Sequence, residues 1–198
     1  MTLRVEYWIS VASPWTWLGS ARFMDLLVRT GADVEVLPMD LSAVFAATDG
    51  TPFAQRSPVR QSHRQLELAR WSRRLEVPLV LTPRYYPVDR APASCLLIAA
   101  GEAGLNTLQL SHAVLRAIWS ENLDISNWHT LSQLVNGFGQ DGEALVQQAR
   151  HPGTTQRFKR NTERAVQAGV FGAPTFIVDG ERFWGQDRLD FLEERLNR

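Results

Sequence analysis

Residues 170–187 read VFGAPTFIVDGERFWGQD and contain the strongest structural signals of the chain. Gly-Ala-Pro-Thr precedes a short apolar run, which predicts a strand over residues 175–178. Asp179-Gly180 is typical of a tight hairpin turn, and residues 182–184 would form the returning strand. Asp187 then stands at the start of a final amphipathic helix. The stretch therefore predicts a hairpin followed directly by a helix.

The N-terminal region predicts a strand, a helix and a second strand. Residues 3–9 alternate between apolar and charged side chains, as a half-buried strand does. Ser13-Pro14 is a favourable helix start, because Ser is a good N-cap and Pro suits the first turn. The helix would end at Gly31, and residues 33–37 alternate again before Pro38. A right-handed crossover would make the two strands parallel.

The middle of the chain has a different character. Residues 39–58 contain the turn signal Asp49-Gly50-Thr51-Pro52 and are expected to form a loop. Residues 59–151 contain only helical patterns, with Ser126 and Asp141 as expected N-caps of two of the helices. We therefore expect a domain made of residues 1–58 and 152–198, interrupted by an all-helical insertion, residues 59–151. Its core would run β-α-β, then α-β-β-α.

Composition excludes several classes of function. The 198 residues hold 21 Lys and Arg and 21 Asp and Glu, so the formal charge of zero indicates no nucleic acid or anionic membrane as a partner. No apolar run approaches the roughly 20 residues of a membrane span. The N-terminus lacks the basic-then-apolar pattern of an export signal. A cytoplasmic protein is the expectation.

Cysteine usage sets the limits of any thiol chemistry. Cys95 is the single cysteine, so the chain can form no internal disulfide and carry no internal Cys-x-x-Cys pair. A thiolate-rich zinc site is excluded for the same reason, and the four histidines show no paired ligand spacing, so no metal is expected. A thiol that acts in this protein must come from outside.

The order of elements resembles the thioredoxin superfamily, in which Cys-x-x-Cys follows the first strand and faces a cis-proline. Here Ser13-Pro14-Trp15-Thr16 stands in that place. The insertion and the VFGAPTF motif resemble the DsbA-like branch. Within it, the chain resembles 2-hydroxychromene-2-carboxylate isomerases and kappa-class glutathione transferases over essentially its whole length. The matching motifs are Ser-Pro-x-Thr, residues 116–119, 124–126 and 169–176, and Gly185-Gln186-Asp187-Arg188.

The resemblance implies glutathione as cofactor. Ser13 would be the catalytic residue and hold the sulfur, with Pro14 and Trp15 beside it. A helix N-terminus favours a thiolate, and a Ser hydroxyl that donates a hydrogen bond to sulfur adds to that preference. The alternative for Ser13 is that it serves only as the N-cap of the helix.

The second half of the implied site lies in the C-terminal region. Ala173 and a cis Pro174 would pair with the cysteinyl backbone of glutathione. Gln186, Asp187 and Arg188, at the start of the last helix, would bind the γ-glutamyl end. For Asp187 the alternative is an ordinary acidic residue at a helix N-terminus.

The substrate side of the site is less defined. Arg60 and His63 fall near family positions that are often a basic residue and a Tyr, so they would line the substrate mouth; a solvated helix face is the alternative. Two residues depart from the family pattern. Ser10 stands where an acid is common, and Gly50 stands near the position of an Asn that contacts glutathione.

The resemblance implies a glutathione-dependent isomerase acting on 2-hydroxychromene-2-carboxylate or a related aromatic pyruvate. The partners would be a small aromatic substrate and a second copy of the chain in a homodimer. One alternative is a kappa-like glutathione transferase or peroxidase with the same site. An alternative of another class is a thioredoxin-fold binding protein without turnover.

Overall fold

The computed structural model describes residues 3–198, in which one sheet of four strands is found. The strands are β1 Arg4–Ile9, β2 Asp33–Pro38, β3 Thr175–Val178 and β4 Glu181–Trp184. Their order in the sheet is β2-β1-β3-β4, with β1 and β2 parallel and the other two pairs antiparallel. The predicted parallel pair and the predicted hairpin are both confirmed.

The helices follow the predicted order. They are α1 Pro14–Thr30, α2 Leu41–Ala47, α3 Pro58–Leu75, α4 Ala91–Glu102, α5 Thr107–Trp119, α6 Trp128–Asn136, α7 Gly142–Ala149, α8 Pro152–Gln167 and α9 Leu189–Leu196. Two short 3₁₀ turns, Phe53–Gln55 and Gln186–Arg188, complete the elements. The α/β class and the β-α-β, helices, α-β-β-α order are therefore confirmed.

Helix α1 forms where its end signals predicted it. The Ser13 side chain accepts a hydrogen bond from the Thr16 N–H, and Pro14 occupies the first turn. Gly31 ends the helix with a φ of 66°, a left-handed conformation that glycine adopts without a steric penalty. The cap places Ser13 at the carboxyl end of β1, beside the site described below.

Three expectations about element ends are wrong. Residues 39–58 are not a plain loop, because Asp40 accepts from the Ser42 N–H and caps α2. Asn127, rather than Ser126, caps α6; Ser126 is instead bonded to Asp124. The last α-helix begins at Leu189, after the 3₁₀ turn. At the start of α6 three short polar residues lie close together, Asp124, Ser126 and Asn127, so the sequence offers several competing caps there.

The main core runs from the sheet into the helical segment. Tyr7 stacks on Phe176 at 5.1 Å between ring centres, and Phe23 of α1 packs against both rings. The same cluster continues through buried residues of α4 and α5, including Cys95, which is 4% exposed. The main core thus contains residues from both expected segments, 1–58 with 152–198 and 59–151. The division of the chain into a domain and an insertion stays a prediction.

In the described range, residues 3–198, no helix is long and apolar enough to cross a membrane. The same residues contain no cluster of three or more His, Cys, Asp or Glu that could hold a metal ion.

Candidate functional site

A cavity of about 530 Å³ lies at the carboxyl end of β1 and the N-terminus of α1. Its base is formed by Ser10 and residues 12–15. One wall consists of residues 172–173 and 184–188, and residues from α2, the first 3₁₀ turn and α3 complete much of the lining. The N-terminal and C-terminal motifs, about 160 residues apart in the sequence, therefore meet in one site.

Ser13 joins the two motifs directly. Its hydroxyl is 5% exposed, accepts from the Thr16 N–H at 3.2 Å and donates to the Ala173 carbonyl at 3.3 Å. The second distance is long for an O–H···O hydrogen bond, for which about 2.7–2.8 Å is usual. The hydroxyl hydrogen is therefore weakly held and can turn towards a group in the cavity.

The first turn of α1 offers fewer donors than a generic helix start. Pro14 has no N–H, the Thr16 N–H is bound by the Ser13 hydroxyl, and the Trp17 N–H donates to the Ser13 carbonyl at 3.1 Å. Within residues 3–198, this leaves the Trp15 N–H as the donor of that turn without a protein acceptor. An anion bound here would meet the Ser13 hydroxyl and the Trp15 N–H.

The Ala173-Pro174 peptide bond is cis, as predicted. Ala173 lines the cavity, whereas Pro174 is buried behind it and lies outside the cavity wall. The Pro174 carbonyl accepts from the Gly185 N–H at 2.9 Å. That bond ties the proline loop to the turn that carries residues 186–188. A second cis bond, Tyr86-Pro87, was not predicted.

Gln186 is almost fully buried, at 2% exposure, and lines the cavity. Arg22 of α1 donates from one nitrogen to both the Gln186 carbonyl and its side-chain Oε1, each at 3.2 Å. A Cβ atom at Gly19 would lie 2.8 Å from the Gln186 Cβ, so glycine is what permits this close approach. Helix α1 thus supports both halves of the site.

Asp187 and Arg188 line the same wall and are paired. Arg188 donates to the Asp187 carboxylate at 2.9 Å, and both side chains are partly exposed, at 49% for Arg188 and 39% for Asp187. All of the residues expected to bind glutathione therefore lie in or directly behind this cavity. Their roles toward glutathione stay predictions.

Arg60 and His63 lie apart from the main cavity. They line a neighbouring depression that shares four lining residues with the main cavity: Trp15, Arg56, Arg64 and Glu67. The side chains of α3 that face the main cavity are Arg64, Glu67 and Trp71. Their spacing of three and four residues marks one helix face, a signal that the sequence contained. A role for Arg60 and His63 at the mouth stays a prediction.

The two departures from the family pattern have structural counterparts. Ser10 is buried in the cavity base, and its carbonyl accepts from the Ser13 N–H at 3.0 Å. At Gly50 there is no room for a side chain, because a Cβ atom would collide with the ring of Phe45. Phe45 itself lines the cavity.

The remaining histidines and Cys95 lie outside the cavity lining. His112 lies 2.8 Å from the Ser20 hydroxyl behind α1, and burial, followed by the charge of Arg116, lowers its pKa. His151 caps α8. Burial also raises the pKa of the Cys95 thiol. His129, in α6, is exposed.

Comparison with known proteins gives a full-length match. The family model described as a DSBA-like thioredoxin domain matches residues 4–197. A 2-hydroxychromene-2-carboxylate isomerase from Sphingobium xenophagum is 31% identical over 197 residues, which cover 99% of each chain.

Solved structures agree on the fold. A 2-hydroxychromene-2-carboxylate isomerase structure superposes with a TM-score of 0.87 at 24% identity, covering 98% of this chain and 95% of the other. The cytosolic disulfide reductase DsbM from Pseudomonas aeruginosa, solved with GSH, superposes with a TM-score of 0.70 at 17% identity. It covers 99% of this chain and 100% of the other.

Proposed function

The chain belongs to the DsbA-like thioredoxin domain family and, within it, to the 2-hydroxychromene-2-carboxylate isomerases, and on this premise we propose that it is a glutathione-dependent isomerase of an aromatic α-keto acid. The observation that carries the proposal is the meeting of Ser13 and Ala173 at the cavity, in a chain without a second cysteine. A cavity of about 530 Å³ falls within the size range of small-molecule sites.

The reaction would use glutathione as a borrowed nucleophile. In the ring-opened substrate, a carbon–carbon double bond is conjugated to the keto group. Glutathione, when bound, would supply a thiolate that can add reversibly to the far carbon of that bond, which permits rotation there and gives the isomer. No atom is lost or gained overall, so glutathione is regenerated.

Ser13 and Trp15 would stabilise the thiolate. When sulfur enters, the Ser13 hydroxyl exchanges its 3.3 Å bond to the Ala173 carbonyl for a bond to the negative charge. The carbonyl is then free to accept from the cysteinyl N–H of glutathione. The Trp15 N–H is a second donor toward the sulfur, and the α1 dipole favours the same charge.

Asp187 would bind the γ-glutamyl ammonium group. It already pairs with Arg188 at 2.9 Å, so the ammonium would join an existing pair of charges. The γ-glutamyl carboxylate would then lie near Arg188 and the N–H groups of the turn 186–188. Both ends of the γ-glutamyl group therefore have a partner on one wall of the cavity.

The test is whether glutathione accelerates isomerisation without being consumed. We expect the protein to convert one geometric isomer of hydroxybenzylidenepyruvate into the other only when glutathione is present, with the free thiol concentration unchanged. S-methylglutathione, whose sulfur cannot add, serves as the matched control and should support no turnover. Consumption of glutathione would instead indicate a transferase. No turnover, together with no glutathione-dependent rise in Tm, would indicate a binding protein.

The resemblance also supports a homodimer that acts in aromatic catabolism. Sedimentation equilibrium tests the dimer, and a molecular mass equal to that of one chain would contradict it.

A further inference from the structure

The cavity contains more positive charge than its own carboxylates neutralise. Four arginines line it: Arg56, Arg64, Arg90 and Arg188. Arg90 lies 3.6 Å from Asp40, and Arg188 lies 2.9 Å from Asp187. For the other two, no carboxylate oxygen of residues 3–198 lies within 4.0 Å. A cavity in a chain of zero formal charge therefore carries two cations without an ion-pair partner.

Arg64 is the more sheltered of the two. It is half-buried, and its guanidinium carbon lies 4.3 Å from the centre of the Phe53 ring. Burial lowers its pKa; the nearby Tyr86 opposes this shift, and the neighbouring charge of Arg56 adds to it. Glu67, three residues further along α3, also lines the cavity but is paired with Arg70. A partly desolvated cation without a counter-charge is unfavourable until an anion joins it.

We propose that Arg64 binds the carboxylate of the aromatic α-keto acid substrate. This inference rests on the proposed function and names the residue that recognises the acid group. The guanidinium presents a planar fork of N–H donors that matches a carboxylate through two hydrogen bonds. Phe53 holds the fork from one side. The aromatic rings of Trp15, Trp71 and Tyr86 line the same cavity and give a planar, conjugated ligand apolar surface to pack against.

The substrate fits Arg64 better than glutathione does. The cysteinyl and γ-glutamyl parts of glutathione would lie along the wall formed by residues 172–173 and 185–188. Arg64 stands on α3, in a different part of the cavity lining, which leaves it available to the substrate. The glycyl carboxylate of glutathione could bind Arg64 through the same hydrogen bonds. The experiment below distinguishes it from the substrate carboxylate.

The experiment compares two ligands that differ only in the acid group. Benzylidenepyruvate carries the carboxylate, and benzylideneacetone has a methyl group in its place. Binding of each is measured by titration calorimetry with saturating S-methylglutathione, which prevents addition. The proteins are the wild type, Arg64→Gln, Arg64→Lys and the control Arg73→Gln, which changes an exposed arginine on another face of α3.

We expect Arg64→Gln to weaken benzylidenepyruvate binding roughly tenfold or more, because it removes a hydrogen bond between charged groups. Arg64→Lys should recover part of the loss. Benzylideneacetone should bind all four proteins equally, and the affinity for S-methylglutathione should be unchanged. Arg73→Gln should behave as the wild type.

Two results would overturn the inference. One is unchanged benzylidenepyruvate binding in Arg64→Gln, or no binding in the wild type. The other is a loss of S-methylglutathione affinity in Arg64→Gln, which would assign the arginine to the glycyl carboxylate. Failure of the proposed function has a different signature, because absent turnover leaves these binding measurements intact.

Discussion

Ser13 has a single hydroxyl hydrogen for two possible acceptors. In the structure that hydrogen is directed to the Ala173 carbonyl at 3.3 Å, while the oxygen also accepts from the Thr16 N–H. The cap uses the oxygen and the proposed chemistry uses the hydrogen, so the two roles do not compete. A serine at this position can therefore hold the helix and the sulfur at the same time.

Ser13→Ala should remove both roles. Without a donor toward the sulfur, we expect the pKa of bound glutathione to rise and kcat to fall roughly 100-fold, as for loss of one preorganised donor. Stability should fall by about 1 kcal/mol through loss of the cap. Ultraviolet absorbance of the thiolate across a pH titration measures the first effect, and urea unfolding the second.

Asp141→Ala is the matched control for Ser13→Ala. Asp141 caps α7 through the Ala144 N–H and lies outside the cavity lining. This variant should lose a similar amount of stability and keep full turnover. An equal loss of turnover in both variants would mean that Ser13 acts only through helix stability.

Cys95 should take no part in the chemistry. Burial shelters the thiol and raises its pKa, so little of the reactive thiolate forms near neutral pH. We expect Cys95→Ala to retain turnover within about twofold, at a modest cost in packing. Iodoacetamide should label the folded protein far more slowly than the unfolded one, as followed by mass spectrometry. Fast labelling of the folded protein would contradict its burial.

Among the elements, α1 and the turn 186–188 depend on a close approach at Gly19. Gly19→Ala would place a Cβ atom 2.8 Å from that of Gln186, a buried residue that is held by Arg22. We expect a loss of about 1–3 kcal/mol in the free energy of unfolding, as for overpacking. Glutathione affinity should fall with it, because the turn must shift. Thermal unfolding and titration calorimetry measure the two effects.

Gly101→Ala provides the comparison for Gly19→Ala. Gly101 also lies within a helix, but the nearest atom to its added Cβ, the Thr107 Cγ2, is 3.4 Å away. Stability should be unchanged or raised by about 0.5–1 kcal/mol, since alanine is the better helix residue. If both variants lost stability equally, the contact with Gln186 would not be the cause.

The contact between α1 and α5 should make stability depend on pH. The pKa of His112 is lowered in the folded protein, first by burial and then by Arg116. The unfolded chain therefore binds the proton more readily, and the free energy of unfolding falls as the pH drops through about 6.5. Above that range the imidazole is neutral in the folded and the unfolded protein, so it adds no pH dependence to the free energy of unfolding.

His112→Gln should therefore show a smaller loss of stability between about pH 8 and pH 6 than the wild type. We expect its absolute stability to be lower at every pH for another reason: the ring also packs 5.1 Å from Trp17 and contacts Ser20. The decisive quantity is the slope from urea unfolding at several pH values. An unchanged slope would show that another group titrates.

At the scale of the whole molecule, the sequence predicted the order of strands and helices and the two motifs that meet. Ser13-Pro14 and Asp179-Gly180 are local signals, so their helix start and turn were predictable. The contact of Arg22 with Gln186 was not, because it joins residues 164 positions apart and neither carries a local signal. The helix α2 was missed because its cap, Asp40, follows a proline-terminated strand and reads as part of a loop.

The face of α3 that lines the cavity also shows how far prediction from one sequence can go. Arg64, Glu67 and Trp71 are spaced as one helix face, but only the fold shows that this face is turned to the cavity. The resemblance to the family indicated Arg60 and His63 as substrate-lining residues, and both lie at the neighbouring depression. A helix face can be read from one sequence, whereas its partner surface depends on the whole chain.

Helix α1 contacts both motifs of the site, and this arrangement affects which thiols the protein can bind. Ser13 is the N-cap of this helix, Arg22 donates to Gln186, and Gly19 permits the close approach of the turn that carries Gln186. A thiol that reaches from Ser13 to residues 186–188 would contact both motifs that α1 connects. Free cysteine has no γ-glutamyl arm, so we expect it to bind more weakly than glutathione. The protein would thus select among cellular thiols at the binding step, before the reaction begins.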